Sequence, residues 1–253
     1  MYTYMELSSL SIIIIITLFA LSYMIYRNVS EPLTAPSYIR TTYMYIFFAL
    51  LLIVLINEET LFPIKNNIKL LALYFLPIVL IFVLQFIPQE NQFLKHLAWI
   101  AFISSLAILL QPAYNIAKAQ NILNNVLITV SAMFIVMTYF AYSKPLEYFD
   151  TWFPYLYSGL LGIIVAQLVN FIFSDIGSSG FGIRHLLISI ISIFIFNGLL
   201  LYDTQKILKD GSVLETLCSG RDHLTCANYP DKSLSIVLDL INLFVGTTNI
   251  YGS

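Results

Sequence analysis

The chain has 253 residues, with 12 basic and 14 acidic side chains, a formal net charge of −2 and an apolar fraction of 59%. Charged residues make up 10%, against about 25% in an average soluble domain, which excludes a soluble globular protein. No block of like charge exists to bind nucleic acid or anionic lipid, and the apolar residues come in long blocks, as in an all-α polytopic membrane protein.

Eight hydrophobic spans are predicted, at about 7–26, 41–57, 70–88, 96–111, 122–142, 152–173, 185–205 and 233–250. They consume most of the chain and leave no room for a soluble domain. The first has no basic segment before it, Glu6 is its only early charge, and no small-residue cleavage site follows. It therefore reads as a retained helix rather than a signal peptide. Pro77 falls inside the third span and should kink it or free a carbonyl. Short loops make neighbouring helices antiparallel. The exception is 206–232, a polar segment with turn formers at Asp210-Gly211 and Ser219-Gly220, and the best candidate for a gating element.

With eight spans, one set of loops holds Arg27, Arg40, Lys95, Lys144, Lys206, Lys209, Arg221 and Lys232, and the opposite set holds Lys65, Lys69, Lys118 and Arg184. The positive-inside bias places the first set in the cytoplasm and both termini on the other side. Cys218 and Cys226 then lie in a cytoplasmic loop, where reduced thiols are expected. With His223 they offer three soft ligands, but the spacing fits no common zinc pattern and a fourth ligand is missing.

Two aspartates lie well inside apolar runs: Asp203 in Gly198-Leu-Leu-Leu-Tyr-Asp203-Thr-Gln-Lys-Ile-Leu208, and Asp239 in Leu234-Ser-Ile-Val-Leu-Asp239-Leu-Ile-Asn-Leu-Phe244. A carboxylate at a bilayer centre costs roughly 2.5–3.5 kcal/mol on insertion scales, so each is a candidate functional residue. With helix ends near Lys209 and Ser233, both would sit about 9 Å from the cytoplasmic end of consecutive antiparallel helices. Two carboxylates at one depth in low dielectric cannot both ionise cheaply, so the pair is expected to share a proton near neutral pH. Such a pair is a candidate pH sensor and Ca²⁺ ligand. Asp239, Asn242, Gly246 and Asn249 form a polar stripe on the last span, which should face the bundle interior or water. Gln85, Gln111, Gln167, Asn170 and Asn197 are further polar candidates, Gln85 and Asn197 as pore-lining residues alongside Asn242 and Gly246. Interhelical hydrogen bonding is the simpler role for each of them alone.

Leu201-Tyr-Asp-Thr-Gln205 together with Leu238-Asp-Leu-Ile-Asn-Leu-Phe244 resembles the Bax inhibitor (transmembrane Bax inhibitor motif) family. Ile128-Thr-Val-Ser-Ala-Met-Phe134 through Lys144, Leu156-Tyr-Ser-Gly-Leu-Leu-Gly162 and Tyr38-Ile-Arg-Thr-Thr-Tyr43 are similar to its other core helices. The resemblance covers about 38–250 and is specific over about 128–250. It implies a seven-helix core over 38–253, with the last helix central in a six-helix ring, preceded by an extra transmembrane helix and connector over 1–37. It also implies a Ca²⁺ leak gated by pH through Asp203 and Asp239, with Ca²⁺ as transported or bound ion, no other cofactor and no enzymatic activity. The membrane would be endoplasmic reticulum or Golgi in a eukaryote or virus and plasma membrane in a bacterium, and the partners lipid, Ca²⁺ and cell-death regulatory membrane proteins. Related proteins hold the closed state with a basic residue in the second core helix. Span 70–88 has none beyond its edge at Lys69, which leaves a neutral substitute such as Gln85 or a different latch.

Two other readings compete. An intramembrane aspartyl protease would also use a membrane dyad, but Asp239 follows Ile236-Val-Leu rather than Gly-x-Gly, and no Pro-Ala-Leu motif occurs. A non-conducting protein acting through partners or structurally would use the aspartates as a hydrogen-bonded pair that fixes helix register.

Overall fold

A computed structural model describes residues 9–59, 67–88, 90–172, 181–218 and 226–253. Among them all regular structure is helical. The helices are α1 (Ser9–Val29), α2 (Ala35–Glu58), α3 (Asn67–Phe86), α4 (Gln92–Ala119), α5 (Leu123–Ser143), α6 (Phe153–Ile172), α7 (Phe181–Leu217) and α8 (Tyr229–Tyr251), with a 3-10 turn at Asp150–Trp152. Helices satisfy their own backbone, which lipid cannot do, so apolar spans resolve into this form. Six of the described helices are long and apolar enough to cross a membrane: α1, α2, α4, α5, α7 and α8. Large apolar side chains such as Phe19, Phe82, Ile135, Tyr155 and Phe194 are exposed, as a lipid-facing surface requires. Of the six, α8 is the most buried (61%) and α1 and α5 the least (11% each).

Two predicted boundaries are corrected. α4 does not end near residue 111 but runs through Pro112 to Ala119. It stops at Asn121, whose φ of 57° is left-handed, with Ile122 N donating to Ala117 O at 2.9 Å in a Schellman closure. The polar segment after 205 is not a loop over its first half, because α7 continues to Leu217. Ile207, Gly211 and Cys218 are buried along this extension with helical spacing. Gly211, expected in a turn, instead lets the helix approach α2: a Cβ there would sit 3.1 Å from Tyr38 Cδ1 and 3.4 Å from Ala35 O. Asp203 therefore lies about 21 Å from the end of its helix and Asp239 about 15 Å from the start of its own, rather than about 9 Å each. Ser219-Gly220 and His223 lie outside the described residues.

The chain forms two compact units, Met1–Gln111 with Gly211–Leu234, and Pro112–Asp210 with Ser235–Ser253. In the first, Thr34 caps α2 through a reciprocal box with Ser37, its Oγ1 accepting from Ser37 N at 3.3 Å and its N–H donating to Ser37 Oγ at 2.9 Å. One face of α2 is buried, and Tyr38 and Tyr45 on it meet Tyr229 with ring centroids 5.4 and 5.7 Å apart. Trp99 packs edge-on against Tyr45 and donates its Nε1–H to Ser233 Oγ at 3.1 Å. Lys95, predicted in a loop, is instead a buried residue of α4, its Nζ 3.3 Å from Asp231 Oδ2.

The second unit is held by the connector between α5 and α6. Phe149 is fully buried against Ala141 and Leu201. The buried Gln205 amide reaches the same connector: its Nε2 donates to Pro145 O at 2.9 Å and Ala141 O at 3.3 Å, and its Oε1 accepts from Phe149 N at 3.2 Å. Tyr202 stacks on Phe153 at 4.6 Å, and Lys209 pairs with Glu147 at 2.6 Å and Asp150 at 3.4 Å. The bond and charge of Lys209 hold the Glu147 carboxyl below its ordinary range. Gly198 admits α6, since a Cβ there would meet Leu156 Cδ2 at 2.5 Å.

The expectation of reduced thiols is overturned. Cys218, just past α7, and Cys226, just before α8, form a disulfide with their Cα atoms 6.1 Å apart. The helix ends bring the two residues within bridging range, which loop composition does not reveal. A persistent disulfide belongs to an oxidising compartment, opposite to the side that the basic residues assign to this segment. Mass-tagging with maleimide should find no reactive thiol in non-reduced protein and two after reduction. Two tags without reductant would show the bridge to be absent.

Gln205→Leu is expected to destabilise the protein in detergent by about 1–3 kcal/mol for each connector group left unpaired. Lys209→Met, which removes exposed pairs, should change stability by less than about 1 kcal/mol. Thermal unfolding followed by circular dichroism checks both.

Candidate functional site

Asp203 on α7 and Asp239 on α8 both belong to the second unit. Asp239 is 4% exposed, and its Oδ2 has no hydrogen-bond partner among the described residues. Asp203 is half-buried on α7. The docking of the α5–α6 connector fixes its surroundings on α7, with Tyr202 stacked on one side in sequence and Gln205 bonded on the other. Thr204, between them, is fully buried, and its hydroxyl has no hydrogen-bond partner among the described residues. The candidate residues are thus two aspartates on α7 and α8 and the buried Thr204 hydroxyl next to Asp203 in the chain.

α7 and α8 meet where Ser189 and Ile193 face Gly246 and Asn249. Gly246 permits this, because a Cβ there would come 3.0 Å from Ile193 Cγ1 and 3.5 Å from Ser189 O. Asn249 Nδ2 donates to Ser189 Oγ at 3.2 Å. Asn197 donates to Ile193 O at 2.8 Å with Met133 Sδ at 3.7 Å, while Asn242 turns back to Leu238 O at 2.8 Å. Of the other polar candidates, Gln85 is exposed on α3 in the first unit, Gln111 is buried at the end of that unit, and Gln167 is exposed on α6. The Asn170 side chain lies outside those described.

Among the described residues no three His, Cys, Asp or Glu side chains cluster as a metal site. A hard cation at Asp203 and Asp239 would complete its shell from neutral oxygens and water, since Ca²⁺ takes about six to eight oxygen ligands. Sequence reasoning passed over Gln205, Thr204, Ser192 and Thr247, which are all buried. Gln205 and Thr204 stand inside the quoted Leu201–Gln205 motif, where polarity in an apolar helix could have marked them. Ser192 and Thr247 carry no such signal, because hydroxyl residues are common in membrane helices.

These features define an integral multi-pass helical membrane protein with an acidic pair on its last two helices. Residues 35–253 match the family described as inhibitor of apoptosis-promoting Bax1, and the chain belongs to that family. The match begins at the first residue of α2, so α1 precedes it. The chain is similar to the inner membrane protein YbhL of Escherichia coli K12, 26% identical over 192 residues that cover 74% of this chain and 76% of YbhL. It is likewise similar to YrjE of Lactococcus lactis, 25% identical over 196 residues and 74% of each chain. A protein of Borreliella burgdorferi is 38% identical over 91 residues, 36% of this chain and 35% of that protein.

Gly246→Leu should lower stability by about 1–3 kcal/mol through overpacking against α7. Gly162→Leu, where an added Cβ meets nothing within 4 Å, is expected to be neutral or mildly stabilising. Equal melting temperatures for the two variants would show that α8 does not depend on this contact.

Proposed function

We propose that the protein is a pH-sensitive, Ca²⁺-permeable leak channel in which Asp203 and Asp239 form the sensor and the cation-binding step. The observation that carries this reading is Asp239, buried in the last helix of the same unit as Asp203, with one carboxyl oxygen lacking a hydrogen-bond partner among the described residues. A carboxylate held so inside an apolar bundle is expensive, and its usual uses are ion passage, proton relay or pairing. Protonation of the pair shifts a closed–open equilibrium, and the ionised carboxylates bind the cation. Asn197, Asn242 and Gly246 line the route beyond the pair, and the basic latch is either replaced by a neutral residue such as Gln85 or absent.

The role follows from the chemistry. A weak leak sets the Ca²⁺ content of the space it drains and so acts on Ca²⁺ homeostasis. Restraint of cell death, the activity named in the family's description, would follow where that space is an internal store, through cell-death regulatory membrane proteins as partners. YbhL is by name an inner membrane protein, and we place this chain in the corresponding limiting membrane of a bacterial cell.

Ca²⁺ entry into dye-loaded proteoliposomes between about pH 5.5 and 8 tests this reading, because carboxylate pairs with shifted pKa values titrate across that range. Wild type should show a pH-dependent flux, and Asp203→Asn or Asp239→Asn should change both its size and its pH profile. Folded protein that passes no Ca²⁺ at any pH would sink the leak reading and favour a non-conducting membrane protein, in which the same substitutions alter only stability.

A further inference from the structure

The first unit holds a cavity of about 570 Å³ between α1, α2 and α4, away from the two aspartates. Val29, Tyr45 and Trp99 are buried around it, while Tyr26 and Phe93 at its edge are 75% and 81% exposed, so it opens to the outer surface. Phe19 and Tyr23 continue the exposed stripe of Tyr26 along α1, and Leu97 and Ile100 continue that of Phe93 along α4. The mouth thus lies between two apolar stripes of helices long enough to cross a membrane. Its α1 wall precedes residue 35 and falls outside the family match, so the added helix creates this cavity on the core.

Among the described residues no charged side chain lines the cavity, and the hydroxyls of Ser22, Ser30 and Tyr45 are committed within the protein. Ser22 donates to Phe19 O at 2.8 Å and Ser30 to Arg27 O at 2.6 Å. His96 Nδ1 lies 2.7 Å from Gln92 O, which can only accept. The neutral ring therefore carries its proton on Nδ1, and Nε2 accepts from the Tyr45 hydroxyl. A buried water needs about two to four polar partners, which such walls do not supply. A hydrocarbon gains dispersion contact from every wall atom it meets.

The depth of the cavity identifies that hydrocarbon. From Ser30 to Ser22 along α1, and from Gln92 to Ile100 along α4, the lining runs about 12 Å. One leaflet of a hydrocarbon core about 30 Å thick is about 15 Å deep. The lining includes the last turns of α1 and the first turns of α4, so the cavity runs inward from one end of both helices. Arg27, exposed in the last turn of α1, marks that end, where a long basic side chain reaches headgroup level. We propose that one acyl chain of a phospholipid fills the cavity, running along α1 and α4 with its phosphate at the level of Arg27. The added helix then seats on the core through a bound lipid, whether or not the protein conducts.

Trp99 reports on the cavity, because Trp152→Phe leaves it the one tryptophan of the chain. It is 2% exposed, so bromine on lipid chains reaches it by entering the cavity. In vesicles of phosphatidylcholine brominated along its acyl chains, Trp99 fluorescence should fall at least about twofold against unbrominated vesicles. Val29→Phe and Ile25→Phe each add a ring inside the cavity and should remove most of that quenching. Ile16→Phe, at an exposed position of α1 outside the cavity, should leave it unchanged. Native mass spectrometry of the detergent-purified chain should find about one phospholipid retained per chain, lost in Val29→Phe. Failure of either reading with the cavity intact, no quenching or no retained phospholipid, would overturn the proposal. Quenching that persists in both filled variants, folded by circular dichroism, would do the same. If neither variant folds, the two readings on the intact cavity decide the question by themselves.

Discussion

Lipid offers no hydrogen-bond partner, and the fold is organised by how each buried polar group answers that constraint. Most answer it locally. Asn57, Asn197 and Asn242 each return an amide proton to the carbonyl four residues earlier, and Thr41 and Thr42 do the same with hydroxyls. Asn57 also reaches Ala107 O at 3.1 Å and so ties α2 to α4. Gln205 answers it at longer range by bonding a connector that would otherwise bury unpaired backbone. Among the described residues, buried oxygens of Ser192, Thr204, Asp239, Thr247 and Thr248 on α7 and α8, of Asn57 on α2 and of Thr138 on α5 stand apart from this pattern.

Within the first unit the same constraint is met by charge. Lys95 is buried at the start of α4, and its partner Asp231 lies in the first turn of α8, where Asn228 also bonds it. Placing a carboxylate at a helix N-terminus is favourable in itself. Removing Asp231 would strand the buried Lys95 charge, which typically destabilises by about 3–5 kcal/mol, although the intact pair adds little net stability. Its use is specificity, since it allows α4 one register against the entry to α8. Trp99 bonding Ser233 one turn further on repeats that register with a neutral pair.

Much of this was legible in the sequence. Long apolar blocks located the eight described helices, because a span needs about 20 apolar residues and little else in a chain produces such a run. The two aspartates stood out for the same reason. Helix ends were not legible where a helix leaves the apolar region. Lys206, Lys209 and Glu215 read as loop residues, yet the stripe of Ile207, Gly211 and Cys218 keeps the helical period to the end of α7. Gly211 misled most, since the feature that marks a turn in solution here serves close approach to Tyr38. The disulfide escaped for another reason: pairing depends on where two helix ends meet, and loop chemistry carries no trace of it.

A division of labour between α7 and α8 follows from their composition. Near Asp203 the helices carry charge, a hydroxyl and a rigid frame, because Gln205, Tyr202 and Lys209 fasten α7 to the α5–α6 connector. Near Ser192 they carry neutral oxygens and a glycine contact. A charged site in low dielectric holds a divalent ion strongly, and strong holding by itself opposes passage. A neutral site offers coordination without that field. The aspartates and the buried neutral oxygens thus occupy separate levels of the same two helices. Asp239 and Thr247, both buried and eight residues apart on α8, are thereby held about 12 Å apart along one continuous helix, which is why their burial must be met separately.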